Sequence, residues 1–417
     1  MTELPVSTDD LQALAALFAP GSVADPYPAY ARWREERPLA RPREQLYVLS
    51  RFADCEAVLA DPAFGRVEDD DARMGPGQAQ ALGRPRGGPM ARSMLRMNPP
   101  DHTRLRRLVS RAFTPARVRE LAPRVEALTT ELLTGAFDDP GERFDLISGL
   151  AQPLPVAVIS ELLGIPPGDR PRLVAWSQAL VRSLDPAFLV ADEERVKQRE
   201  ARDDFAAYLR ELLPARRRSP GGDLISALIG VHDSDGSLTE DELIGLCMLL
   251  LIAGHETTRS LIGGGVLALL RHPAELAALA ADPSLVEQAV EEVLRYDPPV
   301  QAVTRFALRS AEIAGATIEA GSFVLMFVGA ANRDPELCPD PGQFSVRRGV
   351  RRHLSFGHGI HFCLGAPLAR LEAGIALRQL LPLLPRLRVA GEPEWKPNTI
   401  LRGLEHLWLE EASTGVS

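Results

Sequence analysis

The run Phe356-Gly357-His358-Gly359-Ile360-His361-Phe362-Cys363-Leu364-Gly365 constrains this chain more than any other stretch. One cysteine stands among three glycines, two aromatic residues and two histidines, and an amphipathic helical pattern, Ala366 to Leu380, follows at once. Glycines permit backbone angles and close approaches that a Cβ forbids, so the run reads as a tight loop wrapped against something flat. Cys363 lies at the entrance of the next helix, where free backbone N–H groups and the positive end of the helix dipole favour a thiolate over a thiol. A thiolate so held, flanked by small residues, suits an axial metal ligand whose other side stays open. An isolated Cys-x-Gly would read as a structural cysteine in a turn; it is the full pattern with its helix that points to ligation.

Phe356-x-x-Gly359-x-His361-x-Cys363-x-Gly365 resembles the haem-binding loop of the cytochrome P450 family, in which the cysteine is the proximal iron ligand. Thiolate ligation pushes electron density onto iron and favours O–O cleavage, which is why that chemistry needs sulfur at this position. The resemblance implies Cys363 as the metal ligand and haem b as the cofactor. It also implies a mainly α fold with small β-sheets. The haem would be buried between a long central helix and the helix following the cysteine loop, with residues 1–417 forming one catalytic domain.

The bulk properties fit an enzyme of this kind. Apolar residues make up 45% of the 417, enough for a large core. Lys+Arg 47 against Asp+Glu 56 gives a net charge of −9, which does not suggest a nucleic-acid partner. Four cysteines, Cys55, Cys247, Cys338 and Cys363, are widely spaced with no C-x-x-C pair, arguing for a reducing compartment and against a disulfide framework or zinc site. The polar, acidic start carries no signal-peptide pattern. The longest apolar run, Leu243 to Ala253, falls short of the ~20 residues a membrane helix requires. A cytoplasmic protein without membrane attachment is expected.

Hydrophobic periodicity predicts helices over Ala31–Glu36, Phe52–Ala60, Ala116–Phe137, Ile147–Leu163, Asp169–Ser183, Glu193–Leu213 and Glu275–Tyr296, with a long apolar helix from about Thr239 to Leu270. Strands are expected at Leu46–Leu49, Ala302–Leu308, Glu312–Ile313, Thr317–Ile318 and Phe323–Val328. Thr399–Leu409 reads as a hairpin turning near Arg402-Gly403. Between Asp61 and Pro100 the chain is rich in Gly, Pro, Arg and Asp with no sustained period, the mark of a functional or mobile loop. Gly263-Gly264-Gly265 sits inside a helix with no preceding strand, so it reads as close packing and not as a phosphate cradle.

Three further constellations carry chemistry. Ala253-Gly254-His255-Glu256-Thr257-Thr258 places an acid and a hydroxyl midway along the apolar helix, costly unless solvated or used. Gly254 weakens the helix there and could let it kink. By the resemblance Glu256 and Thr257 are catalytic: the threonine would hydrogen-bond bound dioxygen and the glutamate would relay protons. His255 could feed that relay or fill space. Glu292-x-x-Arg295 puts a carboxylate and a guanidinium on one helix face. In the family such a pair bonds to the segment before the cysteine loop, here Asn332 to Phe344, a structural role. Last come the cations. His102 and Arg106, four apart on one helix, with Arg305 and His361, are implied by the resemblance to hold the haem carboxylates; His353 and His358 read as surface residues. Cys338 stands where relatives usually carry an aromatic, which bears on local packing.

The resemblance covers nearly the whole chain, with the motifs in the family's order. It implies a haem-thiolate monooxygenase that inserts one oxygen atom from O2 into a lipophilic small molecule, by hydroxylation or epoxidation, in secondary metabolism. NAD(P)H electrons would arrive through a separate ferredoxin or flavodoxin and its reductase, since the chain has no flavin or iron–sulfur motif; a monomer is expected. Arginines at 104, 106, 107 and 111, and at 347, 348, 351 and 352, could form a docking patch for an acidic carrier. Pocket walls are expected from Phe64–Arg96, Val174–Leu189, Leu249–Ala253, Val300–Val303 and Thr399–Leu401, with Leu249, Ala253, Val300, Val303, Ile400 and Leu401 as lining residues; the same composition would suit an ordinary core. Two alternatives stand beside this reading. A peroxygenase using hydrogen peroxide would typically lack the acid–alcohol pair. A non-catalytic haem sensor would need a second protein ligand and an output domain.

Overall fold

A computed structural model of the chain describes residues 4–19, 21–66, 93–136, 143–181, 190–235, 238–349, 352–398 and 400–412. It divides into two compact units. The first comprises residues 1–65, 121–154 and 257–417, and the second 66–120 and 155–256.

The first unit is built on a five-stranded sheet ordered 39–43, 46–49, 323–327, 302–307, 64–65. Every pairing is antiparallel except that of Leu46–Leu49 with Phe323–Phe327. Alternation along the strands sorts the apolar side chains between two faces. Tyr47, Leu49, Val324 and Met326 pack with Phe52, Cys55, Val58 and Leu59 of the helix Phe52–Ala60. Val48, Leu325 and Phe327 pack instead with Leu14, Leu17, Tyr30 and Trp33 of the helices Thr8–Leu17 and Tyr27–Glu36. The helix Phe52–Ala60 lacks a capping side chain of its own; Asp334 Oδ2 accepts from Phe52 N–H at 2.8 Å and supplies the missing partner.

The helix Val286–Tyr296 packs on Ala366–Leu380, which also meets Ala122–Leu133. At Gly263 an added Cβ would lie 2.6 Å from Ile147 Cδ1, so the glycine run serves close packing as the sequence suggests.

The second unit is helical: Asp101–Ser110, Arg170–Val181, Asp192–Arg218, Leu224–Asp235 and the first half of Glu240–Arg271. Trp176 stacks on Phe205 at 4.9 Å and meets Tyr208 at 5.3 Å, while Arg172 lies over both the Trp176 and Tyr208 rings. These contacts join Arg170–Val181 to Asp192–Arg218. The long helix opens on a reciprocal cap: Glu242 N–H donates to Thr239 Oγ1 at 3.2 Å, and Thr239 N–H to Glu242 Oε2 at 2.9 Å.

Several expectations change. The predicted hairpin at 399–409 does not form: Leu404–His406 pairs with Glu394–Trp395, and Trp408–Glu411 pairs with both Phe144–Asp145 and Leu387–Val389. The helix expected over Glu275–Tyr296 is two, Pro273–Ala281 and Val286–Tyr296, split at Asp282-Pro283, where Asp282 caps the intervening turn. Ile147–Leu163 starts as a π-turn, Ile147–Ala151, before the α-helix Pro153–Leu163. A strand unanticipated from sequence, Leu39–Arg43, edges the main sheet. The long helix runs unbroken through Gly254 for 32 residues, so the glycine does not interrupt it.

Candidate active site

Of the four cysteines, all among the described residues, Cys55, Cys247 and Cys338 are buried, and Cys363 is the one partly exposed. Burial pushes the Cys247 thiol up to about 12, which makes it inert. Cys363 lies three residues before Ala366–Leu380. The loop around it is shaped by its own backbone: Cys363 N–H donates to Phe356 C=O at 2.8 Å, Gly357 N–H to Leu354 C=O at 2.8 Å, and Phe362 N–H to Gly359 C=O at 3.0 Å. Gly359 has φ +70°, and a Cβ there would overlap the Leu59 carbonyl, so glycine is required on both counts.

Arg305 lies on the strand Ala302–Ala307 and is 5% exposed. Among the described residues its side chain donates to the Thr304 carbonyl at 2.9 Å and pairs with no carboxylate. Burial brings its guanidinium down to about 10, still charged at neutral pH. A buried, uncompensated cation is destabilising, and an anionic group brought against it would relieve that cost. His361 sits half-buried in the turn Gly359–His361.

In the second unit His102 is buried on Asp101–Ser110, with Arg106 half-buried one turn on. Burial, then the charges of Arg106 and Arg66, bring the His102 imidazole down to about 4. The same two arginines and the burial that lower it would be offset by an anionic group brought against this site.

On the long helix His255, Glu256, Thr258 and Arg259 are buried, whereas Ala253 is exposed and Gly254 and Thr257 half-buried. The boundary between the two units falls between Glu256 and Thr257. His255 Nδ1 lies 3.0 Å from Ser177 Oγ and 3.8 Å from Glu256 Oε1.

Glu292 and Arg295 form a fully buried bidentate pair, Nε–Oε2 and NH2–Oε1 both 2.8 Å. Arg295 also donates to the carbonyls of Asn332, Pro341 and Gln343, and Glu292 Oε1 accepts from Ser345 N–H and Arg348 Nε. Every remaining guanidinium N–H, and Glu292 Oε1, is thereby spent on the segment leading to the cysteine loop.

Next to this pair is a cluster that sequence reasoning missed. Glu291 accepts from Arg370 Nε at 2.5 Å and NH2 at 2.9 Å, and lies 3.2 Å from His353 Nε2. Burial would raise the Glu291 carboxyl, but the His353 and Arg370 hydrogen bonds outweigh it and hold the group at about 2. Arg370 lies 4.5 Å over the Phe356 ring, at the first residue of the cysteine loop. The His353 side chain is 2% exposed, so it is not the surface residue expected; His358 is exposed.

Among the expected pocket residues, Val300 and Leu401 form a β-bridge and Gln301 N–H donates to Ile400 C=O at 2.9 Å, bringing 300–303 and 400–401 together. Val303 packs against the sheet face that holds Phe52, and Ile400 against the opposite one. Leu249 is buried on the long helix. The stretches 67–92 and 182–189 and Thr399, also expected as pocket walls, lie outside the described residues, as does Arg351 of the second arginine cluster. Others of those arginines are engaged: Arg104 with Glu242 and Asp101, Arg348 with Glu292, and Arg352 with Glu56. Arg107, Arg111 and Arg347 are exposed.

Residues 75–404 match the family model "Cytochrome P450". The chain belongs to the cytochrome P450 family. It is 44% identical to the cytochrome P450 monooxygenase PikC of Streptomyces venezuelae, over 95% of this chain and 93% of that protein. The vitamin D(3) 25-hydroxylase of Pseudonocardia autotrophica is 42% identical over 94% of this chain and 95% of its own length. Among solved structures, ligand-free CYP164A2 of Mycobacterium smegmatis superposes with a TM-score of 0.88 at 45% identity, covering 95% of this chain and 99% of that one. Like these relatives the protein is a P450 oxygenase, a haem-thiolate monooxygenase, with haem as its cofactor. Among the described residues no helix is long and apolar enough to cross a membrane.

Proposed function

We propose that this P450 inserts one oxygen atom into a lipophilic small molecule of secondary metabolism, with Cys363 as iron ligand and Glu256–Thr257 as the proton-delivering pair. The observation that carries the cofactor assignment is Arg305: a buried guanidinium with no carboxylate partner among the described residues fits a haem carboxylate. His361, Arg106 and His102 would add further donors. When bound, haem supplies the activation of O2.

The chain's own residues do the rest. The Phe356 carbonyl fixes the backbone at Cys363, and glycine at 359 lets the loop close against Leu59. Glu256 would hold a proton at its carboxyl and Thr257 Oγ would hand protons on, the proton supply that haem-based O2 activation draws on. Glu292–Arg295 holds the preceding segment and touches no reactant. Electrons come from NAD(P)H through a ferredoxin or flavodoxin and its reductase. The intact acid–alcohol pair favours O2 over a peroxide-driven cycle. Four free cysteines, three of them buried, suit a reducing, cytoplasmic setting.

The relative named for vitamin D(3) hydroxylation and the exposed Ala253 on an otherwise apolar helix support a sizeable apolar substrate. Absorbance of the reduced carbon-monoxide complex tests the ligand: wild type should show the thiolate-type band, and Cys363→His should lose it while still binding haem. A thiolate-type band in Cys363→His would remove Cys363 from the iron. A spectral-shift screen of macrolides, terpenes, fatty acids, steroids and vitamin D(3) then identifies the substrate class.

A further inference from the structure

Two side chains converge on the Phe356 ring, and one carboxylate holds both. Arg370 of the helix Ala366–Leu380 places its guanidinium 4.5 Å from the ring centroid. The His353 ring lies 5.8 Å from it, tilted by 49°. Glu291 accepts from Arg370 through both oxygens, at 2.5 and 2.9 Å, and its Oε2 lies 3.2 Å from His353 Nε2. His353 Nδ1 accepts from Ser355 N–H at 3.3 Å, so Nε2 carries the proton given to Glu291. The backbone here has anchors of its own: Asn332 Oδ1 accepts from Leu354 N–H at 2.7 Å, and Ser355 Oγ donates to Leu294 C=O at 2.6 Å. What the Glu291 cluster adds to that path is the placing of the ring. Phe356 in turn reaches the cysteine by two routes. Its carbonyl accepts Cys363 N–H at 2.8 Å, and its ring meets that of Phe362, the neighbour of Cys363, at 6.3 Å. All of these residues belong to the first unit.

We propose that Glu291, His353 and Arg370 are positioning residues that clamp the Phe356 ring and so set how strongly the Cys363 sulfur donates to iron. A guanidinium over the ring and an imidazole tilted against it, both tied to one carboxylate, leave the ring few orientations. A ring free to tilt would loosen the 356–363 backbone bond and admit water to the cysteine, which is already partly exposed. Water donating to a thiolate draws electron density from it, and solvent access is one of the means by which the shell around a metal site sets its potential. The clamp thus favours strong donation, the property for which this chemistry uses sulfur. This rests on the proposed ligand role of Cys363.

Potentiometry and infrared spectroscopy of the holoenzyme test it without turnover. In Arg370→Ala the ferric–ferrous equilibrium should move about three- to tenfold toward ferrous, the scale of one hydrogen bond, or about 30–60 mV for one electron. The C–O stretch of the ferrous carbon-monoxide complex should rise with it, because a weaker sulfur donor leaves less density on iron to pass to carbon monoxide. Arg370→Lys keeps a cation beside the ring and should bring both values back toward wild type. Glu291→Gln keeps the side-chain volume and should move both in the direction of Arg370→Ala; it carries the test if loss of the guanidinium prevents folding. Phe356→Leu should shift them as well, and adding Arg370→Ala to it should change neither further, since the clamp acts through the ring. A merely structural cluster would lower the unfolding midpoint and leave potential and stretch alone. The thiolate-type band of wild type separates the two levels. If that band is present while Arg370→Ala and Glu291→Gln keep the wild-type potential and stretch, the positioning role is overturned alone. Additive shifts in the double variant would overturn it equally. If wild type lacks the band, Cys363 is not the ligand and this inference falls with that assignment.

Discussion

Arg305 is the single side chain on which the proposed haem-carboxylate contact rests. It lies in the main sheet, its charge is buried, and among the described residues its side chain bonds to the carbonyl of the residue before it and to no carboxylate. Folding such a cation is unfavourable by itself, so binding of a dianionic porphyrin and folding of this strand support one another. Arg305→Leu should therefore yield an apoprotein as stable as wild-type apoprotein or more so, yet weaken haem retention by about 2–5 kcal/mol, the usual cost of removing one partner of a buried charge pair. Haem transfer to apomyoglobin measures this directly. Unchanged transfer rates would mean that the guanidinium does not meet the haem carboxylates.

At the scale of elements, the Glu291 cluster ties three segments: the helix Val286–Tyr296, the helix Ala366–Leu380 through Arg370, and the approach to the cysteine loop through His353. A carboxyl held at about 2 against an ordinary 4.5 stabilises the fold above pH 4.5, and that contribution is lost as pH falls from there toward 2. Acid unfolding of Arg370→Ala should begin at higher pH than in wild type, with a loss at neutral pH of about 1–3 kcal/mol; denaturant titrations at pH 7 and pH 4 check it, and equal loss at both would refute the linkage. The cluster was invisible in sequence because His353 and Glu291 are 62 residues apart and nothing local marks the histidine as buried. The same reason defeats the predicted hairpin: Trp408–Glu411 finds its partners at 144–145 and 387–389, and non-local pairing leaves no trace in the strand itself. Where structure is local, the sequence was legible. Thr239-x-x-Glu242 opens the long helix as a reciprocal cap, and Phe52–Ala60 keeps its predicted bounds. Asp282-Pro283 was an equally local stop signal, overlooked because apolar periodicity continues on both sides of it.

For the molecule as a whole, a net charge of −9 opposes an acidic electron carrier unless exposed cations offset it locally. With Arg104 and Arg348 paired, and Arg352 exposed but bonded to Glu56, Arg107, Arg111 and Arg347 are exposed members of the two clusters among the described residues. Arg107→Glu and Arg347→Glu should each slow ferredoxin-driven reduction several-fold at low salt, the difference vanishing as the screening length drops below ~8 Å; stopped-flow absorbance at several ionic strengths would show it, and rates equal to wild type throughout would exclude these arginines from docking. The sheet of the first unit has a different implication, one for synthesis. Leu46–Leu49 pairs with Phe323–Phe327, and Tyr27 donates to Asp297, 270 residues downstream. At ~5–20 residues per second, a ribosome takes roughly 15–55 s to make that interval. Through that time Tyr47, Val48 and Leu49 have no partner strand on one side. The nascent chain thus emerges with an apolar edge that its last third covers, so chaperone supply during translation should raise the yield of folded enzyme.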